Sequence, residues 1–333
     1  MEKLSDRMVL VLSVVIDNYI KYKQAAGSRT LTKRYNLDFS PATMRNTMID
    51  LEEMGYLTHT HTSGGKIPTQ KGYKFYLDMI MRNFSPEMKR EFENVPYSKL
   101  TSLDEKMSKI LNIASSLSGL VSLLTLPDFS KTRIKNIEFI KISEDKAMCV
   151  IVSENNMIDT KIVDLEMNVS KKELKEFSEY ITTRYAGYTL EEIAEDLKHS
   201  IVAHKNEIYR LIEKLSGEAK NTPVMVAGVK NIFNYAEFSE NLDKLKKIVT
   251  FLEEKRKIYE LLKKLINSER VILIGNDLPI KELQEMGLVS SAYKYRDENV
   301  GVVSIMGPIN MDYKEILSIV ESARKKIDSI LNG

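Results

Sequence analysis

A chain of 333 residues is longer than one hydrophobic core usually grows, so two or three domains are expected. Hydrophobic residues make up 43% of it and charged residues 29%, with only 14 Gly and 8 Pro, a helix-rich globular composition that excludes bulk disorder. The net charge of +2 announces no nucleic-acid partner by itself, and one cysteine excludes an intramolecular disulfide.

Charge is distributed unevenly. Residues 1–80 hold eleven Lys and Arg against eight Asp and Glu, whereas the remainder carries 38 against 39. Between Lys21 and Asp50 six basic residues stand against two acidic ones, the modest footprint of a DNA-facing surface. Cys149 lies in the apolar run Met148–Val152 and reads as a small buried hydrophobe. The apolar stretch Met8–Ile16 follows Glu2 and Asp6 and lacks the small-residue cleavage site of a signal peptide. No window approaches the roughly 18 uncharged apolar residues of a membrane span. The expected location is the cytoplasm, on the nucleoid when bound to DNA, with no membrane partner.

Met8, Leu12, Val15 and Tyr19 recur at steps of four, three and four, which predicts a one-sided helix from Ser5 to Lys21. Gly27-Ser28 ends the connection, and the Ser28 hydroxyl is expected to cap a second helix over about Arg29–Tyr35. That helix turns Leu31 and Tyr35 inward and leaves Arg29, Lys33 and Arg34 outside. Ser40-Pro41 opens a third helix with an N-cap and a proline in the first turn, Met44, Met48 and Leu51 form its apolar stripe, and Met54-Gly55 ends it. In a helix-turn-helix this helix enters the major groove, so Thr43, Arg45 and Asn46 are the candidate base readers. Arg can bond both acceptors of guanine, Asn the acceptor and donor of adenine, and Thr suits a phosphate or a thymine methyl.

Tyr56–His61 alternates as a strand, and Thr62-Ser63-Gly64-Gly65-Lys66 turns it back toward Ile67, giving a two-stranded wing. Gly64 and Gly65 are expected to let the backbone approach a phosphate, with Lys66 supplying charge at the tip. Ser28, Arg29, Lys33 and Arg34 complete the candidate phosphate contacts. His59 and His61 share a strand face, but no further ligand lies near in sequence, and no metal site is expected. Pro68-Thr69 then caps a fourth helix whose Tyr73, Phe75 and Tyr76 close the small core. The fold class predicted for residues 1–82 is a winged helix-turn-helix.

These residues carry a resemblance. Gly27-Ser28-Arg29-Thr30-Leu31, Ser40-Pro41-Ala42-Thr43-Met44-Arg45-Asn46, Leu51-Glu52-Glu53-Met54-Gly55-Tyr56-Leu57, His61 through Thr69, and Lys71-Gly72-Tyr73 closely resemble the HrcA family of heat-inducible transcription repressors. The likeness continues at Gly307-Pro308 and Met311-Asp312-Tyr313. Two positions depart from the family pattern: Asn310 stands where an Arg is usual, and is expected to serve as an N-cap, and Gly65 stands where Ala is usual. The resemblance implies a homodimer bound to an inverted-repeat operator of double-stranded DNA upstream of chaperone operons, inactivated by heat, with chaperonin assisting its active fold. It also implies a GAF-like α+β domain over residues 100–333, interrupted at about 166–267 by a largely helical inserted dimerisation segment. The dimer has an independent argument, because one small reader covers few base pairs and paired half-sites multiply specificity.

Ser102 with Glu105 forms a capping box before a helix stopped by Gly119. Strand-like runs follow at 120–126, 134–142, 147–152 and 157–163, suggesting an antiparallel meander. Capping boxes at Ser170/Glu173 and Thr189/Glu192 open charged helices reaching about Leu215. Strands resume at 224–227, 271–274, 288–293 and 302–306, with one long helix expected near Leu242–Leu265 and a closing helix from Met311 to Leu331. Gly275-Asn276-Asp277 is no phosphate-cradling loop, and His199 and His204 read as solvated. There is no catalytic constellation and no cofactor motif, so no enzyme is expected. The alternatives are a ligand-gated regulator sensing a small molecule through its GAF-like domain, and a winged helix used for protein contact alone.

Overall fold

The computed structural model describes residues 4–59, 65–85, 87–100, 103–127, 133–154, 158–165, 169–198, 210–213, 215, 223–239 and 241–332. It is a mixed α+β structure that divides into two compact units. The first comprises residues up to Leu124, Met225–Lys294 and Val302 onward, and the second Thr125–Val224 with Tyr295–Gly301.

The first unit begins with three helices, α1 (Asp6–Tyr22), α2 (Ser28–Arg34) and α3 (Pro41–Glu53). Ser5 caps α1 by accepting from the Met8 amide, and Val11, Leu12, Val15 and Ile16 bury its inner face. Ser40 caps α3 by accepting from the Thr43 amide, and Pro41 sits in the first turn, where its missing N–H costs no hydrogen bond. The cap of α2 differs from expectation. Its N-cap is Gly27, Ser28 is already helical, and no side chain caps the end. Two short strands follow, β1 (Leu57–His59) and β2 (Lys66–Pro68), antiparallel with His59 opposite Lys66, then α4 (Gln70–Asn83).

Gly72 explains how α4 seats against this hairpin. A Cβ there would lie 2.2 Å from the Tyr56 carbonyl oxygen, so only glycine allows the approach. Thr69 locks the same junction: its hydroxyl donates to the carbonyls of Gly55 at 2.7 Å and Tyr56 at 3.1 Å while accepting from the Gly72 amide.

The rest of this unit contains α5 (Leu103–Ser118) and five strands: β3 (Val121–Thr125), β7 (Val224–Ala227), β8 (Arg270–Ile274), β9 (Met286–Tyr295) and β10 (Glu298–Pro308). They form one sheet in the order β7-β3-β10-β9-β8. β3 therefore leaves the meander that its sequence neighbours suggested. It pairs antiparallel with β10, Leu123 opposite Ser304, because β9 and β10 are buried along most of their length and need partners on both sides. The helix expected over Leu242–Leu265 is two helices, α8 (Leu242–Glu253) and α9 (Lys255–Lys263), broken at Glu254, whose ψ of 75° is not helical.

The closing helix, α10 (Tyr313–Asn332), packs on α5. It buries Glu321, 1% exposed, which accepts from Arg270 Nε at 3.1 Å, Ser291 Oγ at 2.7 Å and Arg324 Nε at 3.1 Å. Burial opposes ionisation of this carboxyl, yet the three donors hold it below its ordinary value.

In the second unit β4 (Ile134–Lys141), β5 (Lys146–Ser153) and β6 (Ile158–Asp164) form a three-stranded antiparallel sheet crossed by α6 (Lys171–Tyr185), with α7 (Leu190–Lys198) beyond. The Ser170/Glu173 capping box and its Thr189/Glu192 counterpart are both closed by reciprocal hydrogen bonds. Phe139, Cys149, Ile151, Val163, Leu174, Phe177 and Ile181 share one core. The segment interrupting the first unit thus starts near Thr125 and ends near Val224, where the sequence suggested about 166–267. The reason is that β4–β6 bury their apolar face against α6 and not in the five-stranded sheet. Ser102 and most of the region between 199 and 222 lie outside the described residues.

Candidate nucleic-acid interface

The site is built on α3. Its apolar stripe, Met44, Met48 and Leu51 with Thr47, is buried, so the opposite face of the same helix is fixed in water. Arg45 and Asn46 stand on that outer face, exposed and without a side-chain partner among the described residues. Thr43 is half-buried beside them; its Oγ1 lies 3.0 Å from Ser40 Oγ, so it belongs to the cap as well as to the surface.

The candidate phosphate contacts separate into two groups. Arg29 and Lys33 are exposed on α2, and Ser28 is half-exposed at its start. Arg34 is exposed as well, but its side chain turns back onto α1. It donates to the side-chain oxygen of the buried Asn18 and lies 4.0 Å over the Tyr22 ring, geometry that holds the helix pair together.

The hairpin also differs from expectation. Lys66 does not stand at a free tip. It opens β2, its side chain is 16% exposed, and it pairs with Glu52 of α3, which accepts from His59 Nδ1 at 3.0 Å as well. The Lys66 hydrogen bond, then that of His59, holds the Glu52 carboxyl below its ordinary value. Gly65 faces inward. A Cβ on it would meet Ala25 Cβ at 2.9 Å and the Ala26 amide at 3.0 Å, and Ala26 bridges to Lys66. Its missing side chain lets β2 pack on the α1–α2 connection, a use the sequence reading did not foresee. Gly64 and the turn beside it lie outside the described residues.

Sequence reasoning missed Glu52, which clamps hairpin to helix, and Asn18, which anchors Arg34. Neither had a local signal, since each partner comes from another element. It missed the seat of the site too. Within the first unit, Gln70 Nε2 donates to the Ile274 carbonyl at 2.7 Å, Lys74 pairs with Asp277 at 2.5 Å, and Tyr73 lies 6.4 Å from Tyr313 ring to ring. Asn310 is not an N-cap. Asp312 accepts from the Glu315 amide at the start of α10, while Asn310 accepts through its carbonyl and side-chain oxygens from Lys23 Nζ. The Asp17 carboxylate accepts from the Tyr76 hydroxyl, and burial with that neighbouring charge pushes the phenol's pKa upward.

Among the described residues no group of three or more His, Cys, Asp or Glu side chains is placed to hold a metal ion, and no helix is long and apolar enough to cross a membrane.

Comparison with known proteins places this arrangement. A crystal structure of a hypothetical protein at 2.2 Å resolution shares the fold across 99% of both chains, with a TM-score of 0.71 at 23% sequence identity. Heat-inducible transcription repressor HrcA of Natranaerobius thermophilus is 31% identical over 97% of this chain and 95% of its own length. The repressors of the same name from Desulforudis audaxviator and Clostridium acetobutylicum are each 29% identical, covering 98% and 99% of this chain and 98% of their own. The family model of the HrcA protein C-terminal domain matches residues 104–317. The chain belongs to the HrcA family of heat-inducible transcription repressors, which are not enzymes.

Proposed function

We propose that the chain is a dimeric repressor of chaperone operons whose first 82 residues form a winged helix-turn-helix and bind an inverted-repeat operator of double-stranded DNA. The observation that carries this reading is the outer face of α3, where Arg45 and Asn46 are exposed, unpartnered among the described residues and backed by a buried apolar stripe. They read bases with Thr43, while Ser28, Arg29 and Lys33 hold phosphates. Arg34 and Lys66, committed to Asn18 and Glu52, hold this surface in shape.

The five-stranded sheet with α5 and α10 is read as the GAF-like domain, and the Thr125–Val224 segment as the inserted dimerisation unit. Its sheet supports that assignment: the face turned away from α6 exposes Ile140, Ile158 at 63% and Ile162 at 59%, aligned with Met148, Val150 and Val152 of the central strand. An apolar patch of this kind marks a protein contact. A second copy seated there gives the two-fold pairing that an inverted repeat demands. The protein acts in the cytoplasm, heat removes it from the operator, and chaperonin restores its active fold.

Fluorescence anisotropy with an inverted-repeat duplex from its own chaperone operon, against a scrambled duplex, at two salt concentrations and with and without chaperonin, tests this reading. Selective binding that weakens steeply with salt is expected. Equal or absent binding even with chaperonin would overturn it, in favour of ligand gating through the GAF-like domain or protein contact alone.

A further inference from the structure

Ile49 is an aliphatic side chain that keeps 36% of its surface exposed in the middle of a polar face. It comes seven residues after Ala42, four after Arg45 and three after Asn46. At 3.6 residues per turn, Ala42 and Ile49 therefore form the midline of the outer face of α3, with Arg45 to one side and Asn46 to the other. Packing does not account for the exposed 36% of Ile49, since Met44, Thr47, Met48 and Leu51 fill the buried face. Local preference does not favour it either, because a β-branched residue is a poorer helix former than Lys, Glu or Ala at an exposed position.

The last turn of the helix limits the usable surface. Asp50 and Glu53 are exposed there, and their carboxylates would be repelled by phosphates if the helix entered further. The reading face thus runs from Ala42 to Ile49.

Hydrogen-bonding groups on base edges offer an aliphatic side chain nothing, whereas thymine alone of the four bases presents a methyl group in the major groove. Resting on the proposal that α3 enters that groove, we infer that Ile49 is a specificity residue that recognises the C5 methyl of a thymine lying between the base pairs read by Arg45 and Asn46. Burying one such methyl is worth about four-fold in affinity per half-site, and roughly fifteen-fold over two half-sites.

The test replaces thymine by uracil, which deletes the methyl and leaves every hydrogen-bonding group in place. The full-length protein, with chaperonin where binding requires it, is titrated by anisotropy against the operator duplex and a set of duplexes carrying uracil at one symmetric thymine pair at a time. Wild type should lose about fifteen-fold at one pair of positions. Ile49→Ala, checked by thermal melt to be as stable as wild type, should show that loss already on the thymine duplex and no further loss when the same pair becomes uracil. Selective operator binding that is indifferent to every uracil substitution would overturn the inference and leave the repressor reading standing. A uracil effect that persists in full in Ile49→Ala would also overturn it, assigning the methyl to Ala42 or Thr43. Failure of wild type to distinguish the unmodified operator from a scrambled duplex would overturn the reader itself, and this inference with it.

Discussion

Two polar regions near the start of the chain hold basic side chains and put them to different use. On the outer face of α3, Arg45 and Asn46 stand exposed with no partner among the described residues. At the hairpin and at the end of α2, Lys66 is spent on Glu52, and Arg34 on Asn18 and the Tyr22 ring. A count of positive charge scores Arg45, Lys66 and Arg34 alike. Availability for a ligand depends instead on what lies within reach of a long flexible stem, and that reach crosses elements: Glu52 is 14 residues from Lys66 and Asn18 is 16 from Arg34.

The contrast disappears most completely when both regions are unseated together. Gly72→Ala sets a Cβ against the Tyr56 carbonyl and should cost about 1–3 kcal/mol or more. The urea midpoint should fall, and operator and scrambled duplexes should both be released; an unchanged midpoint would mean that α4 shifts freely. Arg45→Ala comes next. It should leave the melt alone and remove about 1–3 kcal/mol of discrimination between matched and mismatched operators. Equal loss on both duplexes would refute its role as a base reader.

A pair of substitutions on α2 separates the two uses within one helix. Arg34→Ala leaves the buried Asn18 side-chain oxygen without its donor and should cost about 1 kcal/mol of stability, with little change in the salt slope of binding. Lys33→Ala should do the reverse, leaving the melt intact and reducing the salt slope by about one. Interchanged results would move the phosphate contact to Arg34.

The smallest effect concerns Glu52. Its lowered pKa means that the folded state binds this proton less readily than the unfolded chain. The clamp therefore contributes above the unfolded carboxylate value, about 4.3, and is lost as pH falls through the folded value. Hydrogen exchange at the β1 and β2 amides should show the hairpin loosening in acid relative to the α3 amides. Glu52→Gln should abolish that difference at a cost below about 1 kcal/mol. A hairpin equally protected at acid and neutral pH in the wild type would show that the clamp adds nothing.

Much of the local structure was legible because its causes are local. Ser40-Pro41 announces the start of α3, Ser170 with Glu173 announces α6, and alternating apolar residues mark β4 to β6 within a residue or two. Thr43, Arg45 and Asn46 could be named as candidate base readers for the same reason: once the apolar stripe of α3 is fixed, its outer face is set by the helix period.

Residue order alone thus settles which segments become helix or strand and which side each turns to the core, since both depend on spacing and on caps a few residues away. Packing between distant elements settles the rest: that β3 pairs with β10 instead of joining β4, that Asn310 receives Lys23, and that Gly65 is packed against Ala25. Those outcomes depend on which elements come together. A strand edge, a lysine stem or a missing Cβ is satisfied by any suitable neighbour, and the chain folds toward the arrangement that satisfies the most buried groups at once.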